Sequence, residues 1–245
     1  MQKKNGKDYI VFPLDFPSME AAVSHVRLLD GHVGMFKIGL ELFISQGPSV
    51  VEQVRKLTDA MIFLDLKLHD ISATVGRSMA RVADLGVDLI TVHCASSSQM
   101  LEAAVAGGGG KAGVLGVTLL TDNDAASVEA AGFKADYVRS PRDLVLLRAK
   151  MAKAAGCAGV VCSGQETAMI KEVLGKDFMA VTPGIRPEWS LPANDDQKRV
   201  TTPSRAVQAG SDYIVIGRPI RDADDPVNAA EMVAQEIDRT LRASS

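Results

Sequence analysis

The sequence is poor in flat rings. It carries one tryptophan and three tyrosines, too few for a surface that stacks bases, and no lysine- and arginine-rich block accompanies them. Net charge is −3, with acidic and basic residues mixed along the chain, so nucleic acid is not an expected partner. Cysteine is scarce as well. Cys94, Cys157 and Cys162 are odd in number and form no CxxC pair, which argues against a disulfide framework and a zinc site. Free thiols suit a reducing compartment, and the expectation is a cytoplasmic protein. No apolar run approaches the roughly 18 residues of a membrane span. The basic start, MQKKNGKDYIVFPLDF, lacks the apolar stretch of a signal peptide.

What is present is a repeated alternation. Nearly half of the 245 residues are apolar, enough for a sizeable core. Short apolar, largely β-branched runs recur at 9–15, 35–40, 60–67, 89–94, 112–120, 158–163, 178–185 and 212–220. Between them lie segments with helical spacing and helix punctuation. Ser18 can cap SMEAAVSHVRLL, Ser140-Pro141-Arg142-Asp143 gives a cap with proline at the first helical position, and Thr202-Pro203 repeats it. A last helix is expected from Pro226 to Leu241. Eight strand–helix units in this length most economically close into a (β/α)8 TIM barrel, an α/β fold. The competing open doubly wound sheet is weakened because no glycine fingerprint follows the first strand. No shift of composition divides the chain, so residues 1–245 are read as a single domain.

In such barrels chemistry sits where strands end and the following loops begin. Asp15, Lys37, Asp65, Lys67, His93, Thr121, Arg186 and Arg218 all fall at those ends. The third run, FLDLKLHDIS at 63–72, is the most informative. Alternation along a strand puts Leu64, Leu66 and Leu68 on one face and Asp65 and Lys67 on the other. The leucines face the helices, so the charged pair faces the barrel mouth. Neighbouring strands lie about 4.8 Å apart, which lets Lys37 in MFKIGL meet Asp65. A purely structural ion pair is the plainer reading, but desolvation makes such a pair a weak source of stability. Here the charges alternate, occupy the functional end and outnumber a single pair.

The pattern Asp65-x-Lys67-x-x-Asp70, with Lys37 in FKIG, TPGIR at 182–186, DDQKRV at 195–200 and IGRPI at 216–220, resembles the orotidine 5′-monophosphate decarboxylases of bacteria. The resemblance runs from LDF at 14–16 to the end of the eighth strand. It implies a lyase of pyrimidine biosynthesis that converts orotidine 5′-monophosphate to UMP and CO2 without metal or cofactor. Lys37, Asp65, Lys67 and Asp70 would form an alternating charged array, with Lys67 as proton donor. Asp70, Ile71 and Thr74 would reach the neighbouring subunit's site in a homodimer. Asp15 and Lys37 would contact the ribose and Thr121 the pyrimidine region. Gln197, Gly217 and Arg218 would hold the phosphate, with Pro183 and Arg186 nearby. Two departures stand out: Ser72-Ala73 replaces the family's Pro-Asn, and Asp122 follows Thr121 where serine is common.

The segment 183–202 is long for a strand-to-helix connection and is read as a flap over the phosphate. GGGG at 107–110 precedes a strand, which puts it at the opposite end of the barrel as a flexible connector. His69 is read as structural and ASSS at 95–98 as a turn and helix cap; for His93 a part in shaping the site is only the minor reading. Two other functions compete. Keto-gulonate 6-phosphate decarboxylase and hexulose-phosphate synthase share the DxKxxD strand but bind Mg²⁺ through a carboxylate on strand 2, where this chain has Lys37. A non-catalytic nucleotide-binding barrel would not need two lysines and two aspartates in its mouth.

Overall fold

Strands rich in valine, isoleucine and phenylalanine suit a parallel sheet covered on both faces. In the computed structural model, which describes residues 4–190 and 201–243, each expected apolar run contains a strand. They are β1 (Ile10–Pro13), β2 (Met35–Gly39), β3 (Met61–Leu68), β4 (Leu89–His93), β5 (Gly113–Val117), β6 (Gly159–Val161), β7 (Met179–Thr182) and β8 (Tyr213–Val215). All neighbouring pairs are parallel, and β8 returns to β1 through Ile10↔Ile214 and Val11↔Val215, closing the barrel. Most strands are shorter than the apolar runs suggest. At the eighth, Gly217-Arg218-Pro219 already opens a helix and cannot continue the ladder.

The helices are α1 (Met19–Leu29), α2 (Leu40–Gln46), α3 (Ser49–Arg55), α4 (Ser72–Ala83), α5 (Ser98–Gly108), α6 (Ala125–Ala130), α7 (Ala135–Arg139), α8 (Pro141–Ala154), α9 (Thr167–Leu174), α10 (Pro203–Gln208), α11 (Arg218–Arg221) and α12 (Pro226–Ala243). Ser18, Ser97 and Thr202 cap their helices as expected, each hydroxyl accepting a backbone N–H three residues on. At Ser140 it is the backbone carbonyl that accepts the N–H of Asp143; the hydroxyl does not cap.

Parity sorts the core. Even-numbered strand residues such as Ile10, Phe12, Phe36, Ile38, Leu64 and Ile90 pack outward against the helices. Odd-numbered ones, Val11, Met35, Phe63, Leu89, Leu115 and Val181, fill the barrel axis. The same parity aims Lys37, Asp65 and Thr91 inward, above the layer that plugs the barrel. The glycine run departs from a simple connector. Gly107 and Gly108 complete α5, and only Gly109 and Gly110 turn, both at positive φ. A side chain at Gly107 would place its Cβ 2.3 Å from the Gly76 carbonyl oxygen, so these glycines bring α4 and α5 into close contact. Among the described residues no helix is long and apolar enough to cross a membrane.

Candidate active site

The C-terminal ends of the strands surround a cavity of about 520 Å³, a size suited to a small organic ligand. Asp15, Lys37, Asp65, Lys67, Thr121, Pro183, Arg186, Gly217 and Arg218 line it. These residues come from the ends of β1, β2, β3, β5, β7 and β8, so the barrel gathers groups more than two hundred positions apart in the chain.

The charged groups form a chain. Lys37 Nζ lies 3.1 Å from Asp15 Oδ1 and 3.5 Å from Asp65 Oδ2. Lys67 Nζ donates to the same Asp65 oxygen at 2.9 Å. Lys37 and Asp65 are buried, each 8% exposed, whereas the carboxylate of Asp15 is half exposed. Burial pushes the Asp65 carboxyl up. The Lys37 and Lys67 ammonium groups, with hydrogen bonds from Lys67 and Thr91, more than offset this and hold it below the ordinary carboxylate value. The site therefore keeps an ionised carboxylate between two cations.

Regular alternation does not account for β3 by itself. Leu64 pairs with Ile90 and Leu68 with Val92, so two extra residues of β3 lie between these pairs. Lys67 sits in this bulge with φ at 51°, and it is the non-glycine residue at positive φ among those described. Such backbone strain concentrates at functional sites. Leu66 and Leu68 still pack against the outer core while Asp65 and Lys67 face the cavity.

Asp70, Ile71 and Thr74 lie at the rim, outside the lining of this cavity. Asp70 and Ile71 are exposed, Ile71 by 70%. The start of α4 has no side-chain cap; Asp70 Oδ1 instead accepts the N–H of Ile71 at 2.6 Å. Gln197 and most of the expected flap lie outside the described residues. The described residues on either side of that segment meet: Ile185 bridges to Thr201, whose carbonyl accepts the Arg186 N–H at 2.9 Å. Arg186 is itself buried, and its guanidinium donates to the Ile185 carbonyl.

His93 stands beside His69, with ring centroids 5.6 Å apart, but neither lines the cavity. Burial first, then His69 and Lys67, push His93 below its ordinary pKa, favouring a neutral ring. Cys162 is in the wall, but burial raises its thiol to about 12, which makes it a lining group and not a nucleophile.

Sequence reasoning missed three contributors. Arg221, three residues after Arg218 and on the same short helix, adds a cation to the cavity and pairs with Asp222 at 2.6 Å. The Arg-x-x-Arg spacing in RPIR was the available signal. Gly39 has no side chain where a Cβ would lie 2.7 Å from Asp15 Oδ1 and 3.1 Å from Lys37 Nζ. Thr91, fully buried, donates its hydroxyl to Asp65 Oδ1 at 2.8 Å. Strand parity from Leu89 would have flagged it.

Comparison with known proteins agrees with this geometry. Residues 8–233 match the family model described as Orotidine 5′-phosphate decarboxylase / HUMPS family. A protein of Desulfosudis oleivorans named orotidine 5′-phosphate decarboxylase is 48% identical over 237 residues, 96% of this chain and 95% of that one. Its namesake in Anaeromyxobacter sp. (strain K) is 44% identical over 221 residues, 90% of this chain and 94% of that one. The crystal structure of orotidine 5′-phosphate decarboxylase from Lactobacillus acidophilus superposes with a TM-score of 0.79 at 34% identity, covering 93% of this chain and 98% of that one. By sequence and by fold, the chain belongs to the Orotidine 5′-phosphate decarboxylase / HUMPS family.

Proposed function

We propose that this protein decarboxylates orotidine 5′-monophosphate to UMP and CO2 in pyrimidine biosynthesis. The observation that carries the reading is Lys67 Nζ held 2.9 Å from the ionised Asp65, with Lys37 on its other side. The relatives named for this activity support it.

Loss of CO2 from C6 of the pyrimidine leaves a carbanion whose electron pair lies in the ring plane, without a cofactor to accept it. The Lys67 ammonium stabilises that charge and then gives its proton to the carbon. Asp65, 2.9 Å from Lys67 Nζ, keeps the ammonium aimed. At ~4 Å and an effective dielectric near 20, one such charge contact is worth about 4 kcal/mol. That is a useful fraction of the ~8–23 kcal/mol by which enzymes typically lower barriers, so remote contacts must contribute too. Arg218, Arg186, Gln197 and the Gly217 backbone grip the phosphate. Asp15 and Lys37 hold the ribose, and Thr121 and Pro183 flank the base.

The working unit is a homodimer in the cytoplasm, acting on a small nucleotide and not on nucleic acid or membrane. Asp70, Ile71 and Thr74 complete the partner's site. Ile71, just past β3, and Ile44, on α2, are 70% and 77% exposed, apolar surface that a second copy would cover. The metal-dependent sugar-phosphate reactions of the superfamily are disfavoured by Lys37, whose ammonium 3.5 Å from Asp65 would repel a divalent cation there.

The test follows the fall in ultraviolet absorbance as orotidine 5′-monophosphate is consumed, with EDTA present. Undiminished turnover in EDTA is expected. No turnover, or turnover abolished by EDTA, would sink the proposal.

A further inference from the structure

We propose that Thr91 is the positioning residue that locks the Asp65–Lys67 pair in register, an inference that rests on the functional reading above. Its hydroxyl makes two hydrogen bonds of opposite sense. It accepts from the backbone N–H of Lys67 at 2.9 Å and donates to Asp65 Oδ1 at 2.8 Å. An amide can only donate, so the hydroxyl must use a lone pair there, which frees its proton for the carboxylate.

The position explains the need. The β3–β4 ladder is interrupted between Leu64↔Ile90 and Leu68↔Val92. Lys67 lies inside that interruption at a φ of 51° that L residues rarely adopt. The Thr91 side chain takes the place of a ladder acceptor for its N–H. The other end of the same hydroxyl fixes the carboxylate. Asp65 Oδ2 faces both Lys67 at 2.9 Å and Lys37 at 3.5 Å. A turn about its Cβ–Cγ bond would move that oxygen away from both lysines. With Oδ1 held by Thr91, the turn is resisted. One buried oxygen thus couples the backbone that carries the proton donor to the carboxylate that aims it. Thr91 is completely buried and outside the cavity lining, so it acts through these two residues.

The discriminating variant is Thr91→Val, which keeps the shape and removes the hydroxyl. In the full-length protein kcat should fall about tenfold to hundredfold, the scale of a misplaced reacting group. KM and the affinity for UMP should stay near wild type. The acid limb of the kcat–pH profile should move to higher pH, because losing the O–H donor raises the Asp65 pKa. Thr91→Ser should restore most of kcat. If the valine variant does not fold, Thr91→Ala makes the same comparison with serine. A hydroxyl-free variant with wild-type kcat and pH profile, or a serine variant no faster than it, overturns the assignment. Wild-type turnover is measured alongside: its absence overturns the functional reading, whereas its presence beside an unimpaired Thr91→Val variant overturns only the role of Thr91.

Discussion

Gly39 leaves room for Asp15: a Cβ on this glycine would lie 2.7 Å from Asp15 Oδ1, inside van der Waals contact. The backbone of Gly39 is extended, with φ −90° and ψ 179°, so alanine can adopt it without strain. Gly39→Ala should therefore fold normally while pushing the Asp15 carboxylate and the Lys37 ammonium out of place. The expected outcome is kcat/KM lower by about tenfold to hundredfold, with a melting temperature near wild type. Steady-state kinetics beside a thermal melt decide it, and an unaffected kcat/KM would show that the charged chain tolerates the displacement.

In the proposed mechanism Lys67 is both the main cation beside the reacting carbon and the proton donor. Lys67→Ala should lose at least the ~10²–10⁴-fold that a positioned acid contributes, while UMP still binds through the phosphate grip. Calorimetric binding of UMP next to a single-turnover assay separates the two effects. Near-normal decarboxylation by this variant would refute the mechanism.

Much of this site was legible because barrels obey parity. Asp65 and Lys67 on one face of FLDLKL, and Lys37 one strand away, followed from alternation and strand spacing alone. What alternation cannot reveal is its own interruption. The positive φ of Lys67 arises from pairing with β4, and nothing in the letters DLKL marks a bulge. Thr91 was overlooked because one threonine in LITVHC reads as an ordinary β-former; its role appears only when β3 and β4 are set side by side. Strand ends were read too far for a related reason. In IVIGRPI the apolar pattern continues into α11, and burial of Ile216 and Ile220 hides the change from strand to helix.

The proposed phosphate grip gives a prediction of a different kind. Arg218 is exposed at the mouth and begins α11, and Arg221 on the same helix faces the cavity. Guanidinium groups bind phosphate through charge-assisted, often bidentate bonds. Arg218→Ala should lower kcat/KM strongly for orotidine 5′-monophosphate and hardly at all for orotidine, which lacks the phosphate. Equal losses on both substrates would remove Arg218 from the phosphate site.

Helix packing can be tested apart from catalysis at Gly107. Replacing a helical glycine with alanine ordinarily gains about 1 kcal/mol. Here the added Cβ would lie 2.3 Å from the Gly76 carbonyl oxygen, a backbone atom that moves only if α4 and α5 separate. Overpacking of this kind costs about 1–3 kcal/mol, so the steric term should win. Gly107→Ala is expected to unfold at lower denaturant concentration than wild type, and a stabilised variant would mean the helices part at no cost.

The last prediction concerns who supplies Asp70. It sits three residues beyond Lys67, yet it lies outside the lining of its own cavity and leaves α4 without a side-chain cap. Within its own chain this carboxylate accepts the N–H of Ile71 at 2.6 Å, and it lines no part of the cavity. Under the shared-site reading, two-fold symmetry carries each Asp70 to the other subunit's Lys67. Asp70→Ala and Lys67→Ala should then each be nearly inactive alone. In a mixed dimer one site carries both substitutions and the other carries neither. Equal, random mixing makes about half the dimers mixed, so about a quarter of the sites become intact. Activity should rise from near zero toward that fraction as subunits exchange, with heterodimer formation followed by two different affinity tags. If tagged heterodimers form and activity stays at the level of the separate variants, Asp70 serves its own chain and the shared site is wrong.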